Sequence, residues 1–74
     1  NDMNKVQIEV SENAKGWIDR FRCEEDAEAE IKAIHSVMSH FINDWLGGFI
    51  SDIEAKSMLA TLNNAESIIK SLGE

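Results

Sequence analysis

Two apolar repeats, separated by Gly47-Gly48, constrain the fold of this chain more than any other feature. In both repeats the apolar residues recur at alternating spacings of three and four, which places their side chains on one face of an α-helix. The two sets are Ala27, Ile31, Ile34, Met38, Phe41 and Trp45, and Ala55, Met58, Leu62, Ala65, Ile69 and Leu72. The repeats therefore predict an antiparallel hairpin of two long helices.

Local signals predict where these helices begin and end. Carboxylates at the start of 24–46 suit the positive end of a helix dipole, and one glycine of Gly47-Gly48 is suited to a left-handed C-cap. The segment Ser51-Asp52-Ile53-Glu54 has the pattern of a capping box, so a second long helix is predicted over 51–72. These boundaries leave only a short turn between the two helices.

The first part of the chain predicts a strand and a short helix. Residues 5–10 alternate between polar and apolar side chains, with Val6, Ile8 and Val10 on one side, as in a half-buried β-strand. A lone strand needs a partner, and the simplest one is the same strand of a second copy, in a two-stranded ribbon. Ser11 is a candidate N-cap for a short helix over 11–22. Residues 1–4 are predicted to be a tail.

The predicted fold is therefore a mainly α single domain over 1–74 that forms a homodimer. A 74-residue chain has a marginal core, and its single cysteine, Cys23, excludes an internal disulfide. The apolar stripes also extend to flanking residues such as Val37 and Ile68, a width typical of a four-helix-type bundle. The predicted dimer interface and core consists of Val6, Ile8, Val10, Ile31, Ile34, Met38, Phe41, Met58, Leu62, Ala65, Ile69 and Leu72.

Charge and composition restrict the classes of partner. The net charge is −7, and residues 23–46 contain six acids but only one base, Lys32. Such a surface repels phosphate backbones, so nucleic acid is an unlikely ligand. The least charged stretch, 34–50, is too short and too polar for a membrane span. One cysteine and no signal-like start favour the cytoplasm.

No residue set predicts an enzyme, a metal site or a cofactor. His35 and His40 are five residues apart, so they do not share one helix face, and two ligands alone do not make a site. Cys23 lies at an interhelix turn close to several carboxylates, which is typical of a half-buried structural thiol rather than a nucleophile. Gly47-Gly48 follows a helix instead of a strand, so it is not a phosphate-binding loop.

Residues 1–22 resemble the start of a ribbon-helix-helix repressor, with an alternating strand, a serine cap and then a helix. The resemblance implies a dimeric ribbon whose outward residues, here Lys5, Gln7 and Glu9, read base edges. The chain departs from that family where the next helix begins with Glu24-Glu25-Asp26, because the family places phosphate contacts there.

Residues 41–49 are similar to the Trp-x-Gly hairpins of small secreted bacterial proteins, with Trp45-Leu46-Gly47 at the turn. That resemblance implies a dimeric four-helix assembly exported by a dedicated secretion system. The chain differs from that family in its shorter helices and its predicted leading strand.

The sequence as a whole predicts a small, acidic, non-enzymatic regulator or adaptor that binds another protein as a homodimer. Carboxylates of Glu24, Glu25, Asp26 and Glu28 are expected to steer a basic partner. Trp45 and Phe49, near the turn, are the expected contact residues. The alternatives are a ribbon-helix-helix-like DNA-binding repressor and an acidic inhibitor that occupies a nucleic-acid-binding site.

Overall fold

The structure, a computed structural model, describes residues 5–73 and consists of three helices. Helix α1 spans Glu12–Arg22, α2 spans Glu24–Leu46 and α3 spans Asp52–Leu72. The predicted tail, residues 1–4, lies outside the described residues, as does residue 74. The helices occupy the segments where apolar residues recur with helical spacing.

Serine caps and a glycine turn set the ends of these helices. The Ser11 and Ser51 hydroxyls each accept a hydrogen bond of 3.1 Å, from the backbone N–H of Ala14 and of Glu54 respectively. Each bond satisfies a backbone donor that the first helical turn leaves free. Gly48 has a φ of 78°, the left-handed conformation that turns the chain from α2 towards α3.

Helices α2 and α3 pack as an antiparallel hairpin. Two hydrogen bonds show the register, since His35 pairs with Glu66 and Trp45 pairs with Asp52. The main core cluster consists of Phe21 from α1, Ile34 from α2 and Ile69 from α3, and Ala55, nearer the turn in α3, is fully buried as well. Partly buried apolar side chains surround it, namely Ala27, Ile31, Met38, Leu62, Ala65 and Leu72. Phe21 therefore attaches α1 to the open end of the hairpin, away from the turn.

The molecule is elongated and has a small core. Its radius of gyration is 15.5 Å, whereas a compact domain of this length has about 11 Å. Its accessible surface is 6163 Å², against about 4600 Å² for a typical folded monomer of this mass. The longest dimension is 47 Å, of which the helix α2 alone accounts for roughly 35 Å.

The predicted strand and ribbon are wrong. Residues 5–10 have no regular secondary structure, and the part of the chain that the structure describes contains no β-strand. Val6, Ile8 and Val10 are exposed in the single chain. A strand requires a hydrogen-bonded neighbour, and the remaining described residues form only helices and turns, so the alternating pattern has no edge to pair with.

Candidate protein-interaction site

Polar and aromatic contacts hold the hairpin turn in one conformation. The indole N–H of Trp45 donates a 2.7 Å hydrogen bond to the carboxylate of Asp52, at the start of α3. The backbone N–H of Phe49 donates to the carbonyl of Asp44, at 2.9 Å. The Phe49 ring lies over Gly47, where a Cβ atom would come within 2.9 Å of it. Through its hydrogen bond to Asp52, the half-buried Trp45 side chain thus links the end of α2 to the start of α3.

Around this turn lie three strongly exposed apolar side chains, which we call the turn patch: Leu46, Phe49 and Ile53. Their exposed fractions are 80%, 83% and 83%. Single exposed apolar residues are common, but three large ones within residues 46–53 expose much apolar surface at the turn end of the hairpin. Of the two predicted contact residues, Phe49 belongs to this surface, whereas Trp45 supports it.

The predicted acidic contacts lie at the other end of the hairpin. Glu24, Glu25, Asp26 and Glu28 are exposed in the first turns of α2, and none forms an ion pair within the described residues. Seventeen residues of helix, about 26 Å, separate Glu28 from Trp45. The structure therefore does not bring the acidic and aromatic residues into one small site, and a partner that contacts both must extend along the hairpin.

An open groove of about 460 Å³ lies where α1 meets the hairpin. Its lining includes both apolar and charged residues: Phe21, Arg22, Glu24, Ala27, Glu28, Ile31, Ile69 and Lys70. Two of the predicted acidic contact residues, Glu24 and Glu28, belong to this lining. Arg22 and Lys70 balance these two acids, so the lining carries no net charge of one sign.

A second polar cluster joins α2 and α3 near the middle of the hairpin. One Glu66 carboxylate oxygen lies 2.6 Å from the His35 Nε2 atom, and the other lies 2.8 Å from the Lys70 Nζ atom. Hydrogen bonds from Lys70 and His35 lower the pKa of the Glu66 carboxyl from its usual 4.5, although partial burial opposes the shift. This bridge was not predicted, because His35 and Glu66 are 31 positions apart in the sequence and only the fold brings them together.

Most residues of the predicted dimer interface and core pack within the single chain. Ile34 and Ile69 are buried, while Ile31, Met38, Leu62, Ala65 and Leu72 pack around them. Phe41 and Met58 are half-buried. Within the single chain these side chains pack between the helices, and their role in a dimer interface stays a prediction.

Sequence reasoning missed several surface residues. Leu46 and Ile53 were not assigned to a site. The available signal was that both are apolar but lie outside the two apolar repeats, so the repeats do not predict their burial. Trp17 is largely exposed and stacks on Phe21, with ring centroids 6.0 Å apart. Cys23, expected to be half-buried, is an exposed free thiol.

The residues that the structure describes contain no candidate metal site and no helix that could span a membrane. Among residues 5–73, no group of three or more His, Cys, Asp or Glu side chains could hold a metal ion. The described helices include none with the length and apolarity needed to cross a membrane. The strand on which the repressor resemblance depended is absent from residues 5–73. Comparisons with family models, curated proteins and solved structures gave no match to this chain.

Proposed function

We propose that this chain is a small, acidic, non-enzymatic adaptor that acts by binding another protein, and that it works as a homodimer. The turn patch carries the proposal, because Leu46, Phe49 and Ile53 are at least 80% exposed on a turn that is held by its own hydrogen bonds. Burial of one such side chain against a partner is worth about 1.5–3 kcal/mol. A rigid apolar patch of this kind suits a protein contact.

The exposed carboxylates at the start of α2 supply a second element of the proposal. Glu24, Glu25, Asp26 and Glu28 attract a basic surface, and they raise its rate of encounter more than its final affinity. Because they lie about 26 Å or more from the turn, they act on a different part of the partner from the turn patch.

The homodimer is supported by the apolar residues at the N-terminal end. Val6 and Ile8 are more than 70% exposed, and Trp17 on α1 is exposed as well. If a second copy covers these side chains, they become buried from water, which the hairpin alone does not achieve. This contact is hydrophobic packing and requires no strand pairing.

Photo-crosslinking tests the protein contact. A photoreactive residue at Phe49 is expected to give a covalent adduct in the native host, while the same residue at the exposed Asn63 gives none. An adduct of about twice 8.3 kDa would identify a second copy instead of another protein. Equal labelling from Phe49 and Asn63 would contradict a specific turn-patch contact.

Light scattering over a tenfold concentration range tests the homodimer. The wild-type chain is expected to have twice the monomer mass, and the double substitution V6S/I8S to have the monomer mass. The matched control is Gln7→Ser, which changes the same segment without removing an apolar side chain. A wild-type monomer throughout the range would overturn this part of the proposal and leave the crosslinking result independent of it.

A further inference from the structure

The two flanks of the hairpin differ in how they are covered. On one flank the His35–Glu66–Lys70 cluster spans the space between α2 and α3. A helix turns by about 100° per residue, so a residue two positions further lies about 160° away around the axis. Val37 therefore lies opposite His35, and Ile68 lies opposite Glu66. Both belong to the other flank of the same hairpin.

This other flank, which we call the open flank, includes Ala33, Val37, Thr61 and Ile68, and the exposed polar residues His40 and Asn64 share its helix faces. Val37 and Ile68 are exposed by 41% and 60%, and no hydrogen bond or ion pair between α2 and α3 crosses this flank in the described residues. Ala33 and Thr61 are small, so a neighbouring helix can approach closely between the two larger side chains. The flank is thus a shallow surface along the hairpin on which Val37 and Ile68 are the large apolar side chains.

Carboxylates bracket the open flank at both ends. Glu30 and Asp44 lie seven residues before and after Val37, which places all three on one face of α2. On α3, Glu54 lies seven residues before Thr61 and therefore shares its face. The lysines of the hairpin lie elsewhere, since Lys70 bonds to Glu66 and the helical positions of Lys32 and Lys56 are about 100° or more from those of the open flank.

This distribution of charge decides which occupant fits. A second copy would bring the same carboxylates against the open flank and would add to a net charge of −7. A basic helix has the opposite sign at both ends and an apolar face between them. Glu30 and Asp44 are fourteen residues apart, about 21 Å along the helix, and this separation sets the spacing of the basic groups.

We propose that the open flank binds an amphipathic helix of another protein, with Lys or Arg side chains about fourteen residues apart and an apolar stripe between them. The proposal rests on the proposed adaptor function and names the class of partner. The partner's basic ends pair with Glu30 and with Asp44 and Glu54, while its stripe covers Val37 and Ile68.

Synthetic helical peptides provide the probe. The panel contains one peptide with basic groups about fourteen residues apart, one with the same composition in scrambled order, and one with glutamate in place of each base. Backbone amide shifts of the full chain locate the binding site. We expect only the ordered basic peptide to bind, with the largest shifts around Ala33, Val37, Thr61 and Ile68.

Matched variants test the site itself. Val37→Ser combined with Ile68→Ser is expected to weaken peptide binding by about tenfold or more. Ile42→Ser is the control, because Ile42 is exposed by 39%, much as Val37 is, but lies on the flank of His35. Equal losses in both variants, shifts centred on His35, or no binding by the ordered peptide would each overturn the proposal.

Light scattering on the same variants tests whether a second copy of this chain occupies the open flank instead of a basic helix. A wild-type dimer that becomes a monomer in V37S/I68S would identify a second copy on the open flank and overturn the choice of a basic helix. Crosslinking from Phe49 that persists without peptide binding would reject this inference alone. Peptide binding without crosslinking would instead reject the turn-patch contact and retain the open flank.

Discussion

The two halves of the hairpin use their apolar residues differently. Away from the turn, Phe21, Ile34 and Ile69 come from three helices and bury one another in the core. Around the turn, Leu46, Phe49 and Ile53 remain exposed, and the conformation is held by main-chain hydrogen bonds and by the side-chain bond from Trp45 to Asp52. The core cluster therefore lies in one half, whereas three large apolar side chains of the turn half are exposed. The contrast has exceptions, since Ala55 near the turn is buried and Trp17 and Ile68 away from it are exposed. Substitutions should be able to change each half separately.

The largest expected effect is a core substitution in the half away from the turn. Ile69→Ala is expected to lower the free energy of unfolding by about 2–5 kcal/mol, because it removes buried methyl groups and leaves a cavity. Leu46→Ala, in the turn patch, should change it by less than about 0.5 kcal/mol. Urea denaturation followed by circular dichroism measures both values.

If Ile69→Ala does not fold, Ile69→Val keeps the comparison measurable, with an expected loss of about 1 kcal/mol. Similar losses for Leu46→Ala and Ile69→Val would show that the turn half contributes to the core.

Removal of a helix cap should have a smaller effect. Ser51→Ala removes the acceptor for the Glu54 N–H at the start of α3 and is expected to cost about 1 kcal/mol in unfolding free energy. Ser11→Ala removes the equivalent bond in α1, which Phe21 attaches to the core at its far end. We expect its effect to appear as faster amide exchange within α1. Equal shifts in the urea midpoint for the two variants would contradict this difference.

The hydrogen bond between Trp45 and Asp52 should contribute about 0.5–1.5 kcal/mol to the free energy of unfolding, because exchange with water offsets most of the gain from a hydrogen bond. In a Trp17→Phe background, Asp52→Ala is expected to change the fluorescence of Trp45 and to lower stability by that amount. Asn43→Ala, before the turn, is the control. Unchanged Trp45 emission in Asp52→Ala would show that the indole does not depend on this carboxylate.

The smallest effect is a change in pH dependence. The pKa of Glu66 is lowered from 4.5 in the folded state, so its contribution is present above the unfolded value and is lost as pH falls through the folded value. Below about pH 4.5 the wild-type chain should lose stability more steeply than Glu66→Gln. Glu54→Gln, which leaves the bridge intact, should follow the wild type. Parallel curves for Glu66→Gln and the wild type would reject the bridge as a source of this dependence.

The same contrast between halves explains what the sequence could predict. The helices follow from local signals, because apolar spacing, the serines at 11 and 51 and the left-handed Gly48 act within one or two turns. The strand over residues 5–10 was wrong, since alternation describes one-sided burial but does not supply the neighbouring strand. The His35–Glu66 bridge needed the register of the hairpin, and no local spacing contains that register.

The site was partly predictable for the same reason. Phe49 could be singled out as an aromatic residue next to a glycine turn. The separation of the acidic residues from that turn follows from helix length alone. By contrast, the supporting role of Trp45 depends on the position of Asp52 across the turn, and the difference between the flanks depends on where Glu66 lies.

The attachment of α1 has a mechanical consequence. This helix of 11 residues joins α2 through Cys23 and meets the core through Phe21, close to the same end. The helix is therefore about 16 Å long and is attached to the hairpin near one end. A rotation of about 10° at Cys23 displaces the start of α1 by about 3 Å, and Val6 and Ile8 move with it. Small torsions at one exposed residue thus set the reach of the whole N-terminal segment.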